Sequence, residues 1–274
     1  KKRGQPMPDP ENASRDVTPE RMPALLQEYM SFRDIHKAVM FSLVNKFVYV
    51  RVPKVANSSI KYSIYDNERP AGTAGIRERI VHDIHYGPIL RPGLVGFDSD
   101  ILFRALFTDE FFRFSFVRNP YAKALSNYLD RYQEENSGVR RVTNRTALRL
   151  RLIDSRDETL GFAQFLKAIE AMPPKSMDIH SSPQTTQLML GLIGYHEICS
   201  FEAIDTEWPR IAARLWKNST PGFANKSPSK TSAGEKLAQY FTRDDIARLN
   251  RIYQTDFEML GYPVRKRDLA PTFF

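Results

Sequence analysis

Apolar residues follow two rhythms along this chain. Residues 47–52 (FVYVRV) and 111–117 (FFRFSFV) are short runs dense in β-branched and aromatic side chains, and residues 195–201 form a third. Each predicts a strand. Elsewhere the apolar spacing lengthens to that of a helix. Residues 22–30 and 60–65 predict short helices. After Pro120, the positions Tyr121, Ala124, Leu125, Tyr128, Leu129 and Tyr132 share one helical face. Residues 159–172 predict a helix that buries Phe162, Phe165, Leu166 and Ile169. Asp205 is placed to cap a helix running to about Trp216, and Thr242 with Asp245 has capping-box spacing ahead of Ile246, Leu249, Ile252 and Tyr253. Strands alternating with helices predict an α/β fold, a parallel β-sheet core flanked by helices on both faces. The fold is expected to carry helical insertions, and the long segments 66–110 and 133–158 are where substrate-specific structure would sit. Residues 1–20 are polar and proline-bearing and read as a flexible arm, leaving 21–274 as a single domain.

Composition narrows the classes. Of 274 residues, 42% are hydrophobic and 26% charged, which excludes a wholly disordered chain. No apolar run reaches the ~18 residues of a membrane helix, and none near the start resembles a signal peptide. The chain opens at Lys1 rather than Met, which reads as a trimmed protein. Its single cysteine, Cys199, excludes an intramolecular disulfide and a multi-cysteine metal site, and points to a reducing compartment.

Forty Lys and Arg against 32 acids give a formal charge of +8, which favours anionic partners. Residues 139–152 hold five arginines and no acid. If they are helical, Arg141, Arg145 and Arg149 repeat at i, i+4 and i+8 and share a face that could hold an anionic acceptor. A solvated face, or neutralisation by the acids at 154–158, is the alternative.

Two loops carry candidate chemistry. The strand at 47–52 runs into Pro53, then Lys54, Val55, Ala56, Asn57, Ser58 and Ser59, where a helix opens. Free backbone amides at a helix start, a lysine and two hydroxyls make an anion-binding design. A nucleotide P-loop needs G-x-x-x-x-G-K-[ST]; this loop lacks both glycines and its lysine precedes the turn, which argues against an ordinary ATP or GTP site. A plain capped helix with a surface lysine is the alternative. The strand at 111–117 delivers Arg118 at its carboxyl end, where open α/β sheets bind ligands. Asn119 can cap and Pro120 can start the next helix. Ser126, two turns on, returns to roughly the azimuth of Arg118, so both could grip one phosphate. An ion-paired Arg118 and a surface Ser126 are the alternative.

Together the loops resemble a family. PKVANSSIK is similar to the 5′-phosphosulfate loop of sulfotransferases that use 3′-phosphoadenosine 5′-phosphosulfate (PAPS), and FVRNPYAKALSNY to their 3′-phosphate loop. Four further segments resemble the carbohydrate sulfotransferase branch: Asp178 to Gln184 (DIHSSPQ), Ser200-Phe201-Glu202, Asn225-Lys226-Ser227, and Tyr253 to Tyr262. The resemblance spans about residues 45–262, with its motifs in order. It implies a P-loop-like sulfotransferase fold and transfer of a sulfuryl group from PAPS to a hydroxyl or amine, with release of adenosine 3′,5′-bisphosphate. Lys54 would neutralise the leaving 5′-phosphate, the loop through Ser59 would hold the phosphosulfate, and Arg118 with Ser126 would hold the 3′-phosphate. Lys226 and Ser227 would close over the nucleotide.

The resemblance also implies a carbohydrate or glycan acceptor and no metal. The missing disulfides of lumenal relatives point to a cytoplasmic, bacterial-type member, with a Golgi-lumenal protein lacking its anchor as the alternative. A general base is still required. His85, and next His82, lie between the two loops in a His-x-x-His spacing; His180 is expected to line the acceptor pocket, and His36 and His196 to be structural. Glu202 and Asp83 are weaker candidates for the base.

Two rival classes stay open. One is a nucleotide-dependent phosphotransferase on a related α/β sheet, disfavoured by the missing Gly-Lys-Ser/Thr. The other is a non-enzymatic basic nucleic-acid binder. The aromatics sit on helical faces and in strands rather than interleaved with Lys and Arg, so no nucleic-acid partner is expected.

Overall fold

The computed structural model describes residues 17–68, 99–216 and 240–265. In chain order these form α1 (Met22–Gln27), α2 (Phe32–Ala38), β1 (Val39–Ser42), β2 (Phe47–Val50), α3 (Asn57–Glu68), α4 (Ser99–Phe107) and β3 (Phe112–Val117). There follow α5 (Pro120–Asn127), α6 (Gly138–Arg149), α7 (Phe162–Glu170), the single turn α8 (Gln184–Gln187), β4 (Glu197–Ser200), α9 (Ile204–Leu215), α10 (Arg243–Ile252) and α11 (Gln254–Leu260). The chain divides into two compact units; among described residues, one comprises 17–117 with 187–216 and the other 118–186 with 240–265.

The first unit holds a four-stranded sheet in the order β1-β2-β3-β4. Tyr49 pairs with Phe114, and Phe114 with Glu197, in parallel ladders, while Val39 faces Val50 across an antiparallel one. The sheet is therefore mixed, a correction to the all-parallel expectation. The added strand is β1, joined to β2 by a tight turn in which Lys46 takes a positive φ of 48°. β1 and β2 are buried along their whole length, and rings from neighbouring strands meet, Tyr49 stacking on Phe114 at 5.3 Å. Helices flank the sheet, α4 packing on β2 and α9 on β4. Asp205 lies inside the first turn of α9, whose N-cap is Ala203, so it acts on the helix dipole and is not the expected cap.

The second unit is helical. α5 begins where expected: Asn119 accepts a hydrogen bond from the backbone N–H of Tyr121, and Pro120 opens the helix. It is buried on every side rather than on one face. After Asn127 the chain continues as a π-helical turn, Tyr128–Tyr132, whose two tyrosine rings stack at 5.5 Å. Phe162, Phe165, Leu166 and Ile169 of α7 join this core, and the Thr242–Asp245 capping box of α10 forms as the spacing predicts.

Candidate functional site

The first candidate loop lies in the sheet unit. β2 ends at Val50, and the chain turns through residues 51–56 into α3. Two residues of this turn stand in the left-handed region without being glycine: Lys54 at φ 69° and Ala56 at φ 43°. Each costs about 1–3 kcal/mol and persists only where surrounding structure enforces it, and such residues cluster at ligand-binding turns. The surroundings do enforce it: Val52 and Val55 are fully buried on either side of Lys54, and the Ala56 carbonyl accepts the first helical hydrogen bond from Ile60 at 3.1 Å. Lys54 is half-buried, Ser58 is exposed and Ser59 is buried, so the loop offers a cation, a hydroxyl and helix-start amides together.

Sequence reasoning missed two further cations here. Lys61 of α3 is 6% exposed, and burial, reinforced by the charge of Arg51, pushes its ammonium well below the usual lysine range. Burial likewise pulls Arg51 down to about 10, and its Nε has no hydrogen-bond partner among described residues. Long cationic side chains ordinarily read as surface, so only the structure reveals this pair.

The second candidate loop lies in the helical unit. Arg118 follows β3 directly and is half-buried; Ser126 sits on α5, 2% exposed. The backbone of Arg118 is held from both sides by Gln184, whose Oε1 accepts from the Arg118 N–H at 2.9 Å and whose Nε2 donates to the Arg118 carbonyl at 2.7 Å. Asp256 holds Gln184 in turn, its carboxylate accepting from the backbone N–H groups of Gln184 and Thr185, each at 2.9 Å. Buried Lys123 donates to the carbonyls of His180 and Ser182, and the Tyr253 hydroxyl donates to that of Ser181. Residues 178–185 are thereby fixed to the loop at Arg118. Asp178 Oδ1 meets His180 Nδ1 at 2.7 Å and also accepts from the His180 backbone N–H. Burial raises the Asp178 pKa, but the hydrogen bonds and charge of His180 outweigh it and set it below the ordinary carboxylate value.

A model of the Sulfotransferase family matches residues 37–263 of this sequence. The chain belongs to the sulfotransferase family. It is 26% identical over 230 residues to carbohydrate sulfotransferase 8 of Homo sapiens, an alignment covering 80% of this chain and 52% of that protein. It is 23% identical over 231 residues to carbohydrate sulfotransferase 14 of Danio rerio, covering 80% and 60%. It is 23% identical over 269 residues to carbohydrate sulfotransferase 9 of Homo sapiens, covering 90% and 59%. The chain thus spans little more than half the length of the curated relatives it matches. No solved structure matches it.

Several residues expected of a sulfotransferase site lie outside the described residues: His82, His85, Asp83, Lys226 and Ser227. His196 is structural as expected, its Nδ1 accepting from the backbone N–H of Arg113. Glu202 is exposed and accepts from the Ser200 hydroxyl at 2.6 Å. Arg141, Arg145 and Arg149 do lie on one helix, α6, and all three are exposed.

Among the described residues one group of metal-type donors converges, Glu197, Cys199 and Glu207. Arg210 already pairs with both carboxylates, and burial, with Glu207 adding to it, pushes the Cys199 thiol up to about 12. Its geometry is that of an ion-pair cluster around a protonated thiol. No helix of the described residues is long and apolar enough to cross a membrane.

Proposed function

We propose that this protein transfers a sulfuryl group from PAPS to a hydroxyl or amine of a carbohydrate acceptor, on a P-loop-like sulfotransferase framework. The observation that carries this reading is the turn at Lys54–Ala56, which reaches the helix start through two left-handed residues and no glycine. Family membership and relatives that are named carbohydrate sulfotransferases support it.

Taken one at a time, each loop carries the chemistry for one anionic end of PAPS. Lys54, the α3 amides and the Ser58 and Ser59 hydroxyls suit the 5′-phosphosulfate, and Arg118 with Ser126 suits the 3′-phosphate. Lys226 and Ser227 complete the set by resemblance. PAPS supplies the sulfuryl group and departs as adenosine 3′,5′-bisphosphate. In such a loose, in-line transfer the protein's task is positioning and charge stabilisation. Lys54 offsets the negative charge that gathers on the departing 5′-phosphate. The acceptor oxygen forms a bond to sulfur and gives its proton to a base. His85, then His82, is proposed for that role from position in the chain. A second reading has an observation in its favour: the Asp178 carboxylate meets His180 Nδ1 at 2.7 Å, a carboxylate–imidazole pair of the kind that tunes a histidine for proton transfer.

Turnover of PAPS against a panel of saccharides, lipids and small alcohols tests the activity. Tight binding of the bisphosphate without Mg²⁺, and indifference to ATP, is the expected result. Mg²⁺-dependent ATP binding would establish the phosphotransferase instead. Comparison of His85→Ala with His180→Ala in single turnover assigns the base.

A further inference from the structure

Polar side chains gather around the turn at residues 51–56 without satisfying one another. Tyr49 is fully buried and its hydroxyl makes no hydrogen bond. Neither does Nε of Arg51, nor Oδ1 of Asn57, both of them buried atoms. Lys61 is 6% exposed, and no hydrogen bond or ion pair ties it to another described residue. All of them belong to the sheet unit. An unpaired buried polar group costs stability, a charged one most, so a fold keeps such groups where something else completes them.

The two cations reach the turn from its opposite ends. Arg51 follows β2 directly, and Lys61 stands in the second turn of α3. Helical side chains lean back toward the helix N-terminus, so Lys61 reaches over Asn57 and Ser58 toward the turn. There its charge and that of Arg51 act on each other, and like charges out of water repel strongly.

No described neighbour supplies the missing negative charge. Asp34 of α2 acts on Arg51 from a distance, forms no ion pair with it, and accepts from the Ser31 hydroxyl. Burial keeps the Tyr49 hydroxyl protonated, well above the usual phenol range. On α3 itself, Asp66 stands five residues beyond Lys61, on another face. Glu68 is taken by Ser42, Asn45 and Trp216. Burial, with the Arg51 charge adding to it, therefore drives Lys61 toward its neutral amine.

We infer that Lys61 and Arg51 draw their counter-charge from the phosphosulfate end of the donor, and that Lys61 takes up a proton as that end binds. The inference deepens the proposed use of PAPS and rests on it. The proton passes from solvent to the lone pair of Lys61 Nζ, and no bond of the donor changes. Positive charge then forms beside the loop only when an oxyanion is there to meet it. Affinity should fall as pH rises between the values at which the empty and the loaded protein release this proton, by up to about tenfold per pH unit.

The test is calorimetry of adenosine 5′-phosphosulfate in buffers of different ionisation enthalpy, which counts protons, repeated from about pH 6 to pH 10. This probe lacks the phosphomonoester proton that titrates near pH 6, so the count belongs to the protein. The unaltered protein is expected to take up about one proton at the maximum. Lys61→Met should abolish the uptake, flatten the pH profile and raise Kd about 10- to 100-fold. Its melting temperature should hold or rise, because a buried group without a partner has gone. Lys61→Arg keeps a cation that does not titrate in this range and should bind without uptake. Adenosine 5′-phosphate, corrected for its own proton, locates the anion: uptake that persists assigns Lys61 to the 5′-phosphate, and uptake confined to the phosphosulfate assigns it to the sulfonate.

Phosphosulfate binding without proton uptake, uptake that survives in Lys61→Met, or an unchanged Kd in that variant overturns the inference. The underlying activity fails separately. Lys61-dependent uptake on binding inorganic sulfate, with no turnover of PAPS on any acceptor, removes the transferase reading and leaves an oxyanion site. PAPS turnover with no proton taken up on binding does the reverse.

Discussion

Gln184 closes both backbone groups of Arg118 with one side chain, its Oε1 accepting from the N–H and its Nε2 donating to the carbonyl. Gln184 is fully buried, and its Nε2 also lies 3.4 Å from Asp256. Gln184→Ala therefore strips partners from the loop and should lower stability by about 1–3 kcal/mol. Gln184→Glu should be worse, since it loses the donor and sets a second carboxylate against Asp256. Thermal melts of both variants, with calorimetry of the 3′,5′-bisphosphate, check this; equal melting temperatures for Gln184→Ala and the unaltered protein would show the contact to be idle.

Arg118 should confer selectivity for the 3′-phosphate. A charge-assisted hydrogen bond is worth about 1.5–3 kcal/mol, so Arg118→Ala should weaken bisphosphate binding roughly 10- to 150-fold. Plain adenosine 5′-phosphate should bind almost as before. Equal losses for the two ligands in calorimetry would remove Arg118 from the 3′-phosphate.

Asp178 gives a pH-dependent contribution whose sign is fixed. Its folded pKa lies below the ordinary aspartate value of 3.8, so the ionised form is favoured by folding. The stability it adds is complete above about pH 3.8 and is lost as pH falls through the lower folded value. Asp178→Asn should therefore cost about 1.5–3 kcal/mol near neutrality, and the gap to the unaltered protein should close in the most acidic melts. Denaturant titrations from pH 7 down through the acid range measure it; a gap undiminished at the most acidic point contradicts the assignment.

Cys199 should be chemically quiet in the folded protein. With its thiol pushed up to about 12, about one in ten thousand is ionised at pH 8. Iodoacetamide should label it only as the protein unfolds. Rapid labelling under native conditions would show that the Glu197–Arg210–Glu207 cluster opens.

Much of the framework was legible because apolar pattern and burial coincide. β2, β3 and β4 fall within the three runs read as strands, and the Thr242–Asp245 capping box forms as its spacing requires. β1 was hidden because the hairpin tip is apolar: Leu43 and Val44 are exposed, the reverse of what turn chemistry leads one to expect. The π-helical turn at Tyr128–Tyr132 was hidden because its rings keep a helical spacing. In the site, the two loops were legible as motifs, but their supports were not. Lys123 lies within an apolar helix as a fully buried cation, and Asp256 reaches Gln184 across 72 residues of chain. Contacts of that separation leave no periodic trace.

The left-handed pair at Lys54 and Ala56 bears on the thermodynamics of ligand capture. A glycine loop samples many shapes and must give them up when an anion arrives. A lysine held in left-handed geometry between two buried valines, and an alanine held so at the first turn of α3, have little freedom left to lose. The ordering cost is borne during folding, so anion capture should be close to entropy-neutral in the backbone and correspondingly quick. Ala56→Gly would shift that cost to the binding step: isothermal titration of the variant with the bisphosphate should show a more unfavourable entropy with little change in enthalpy.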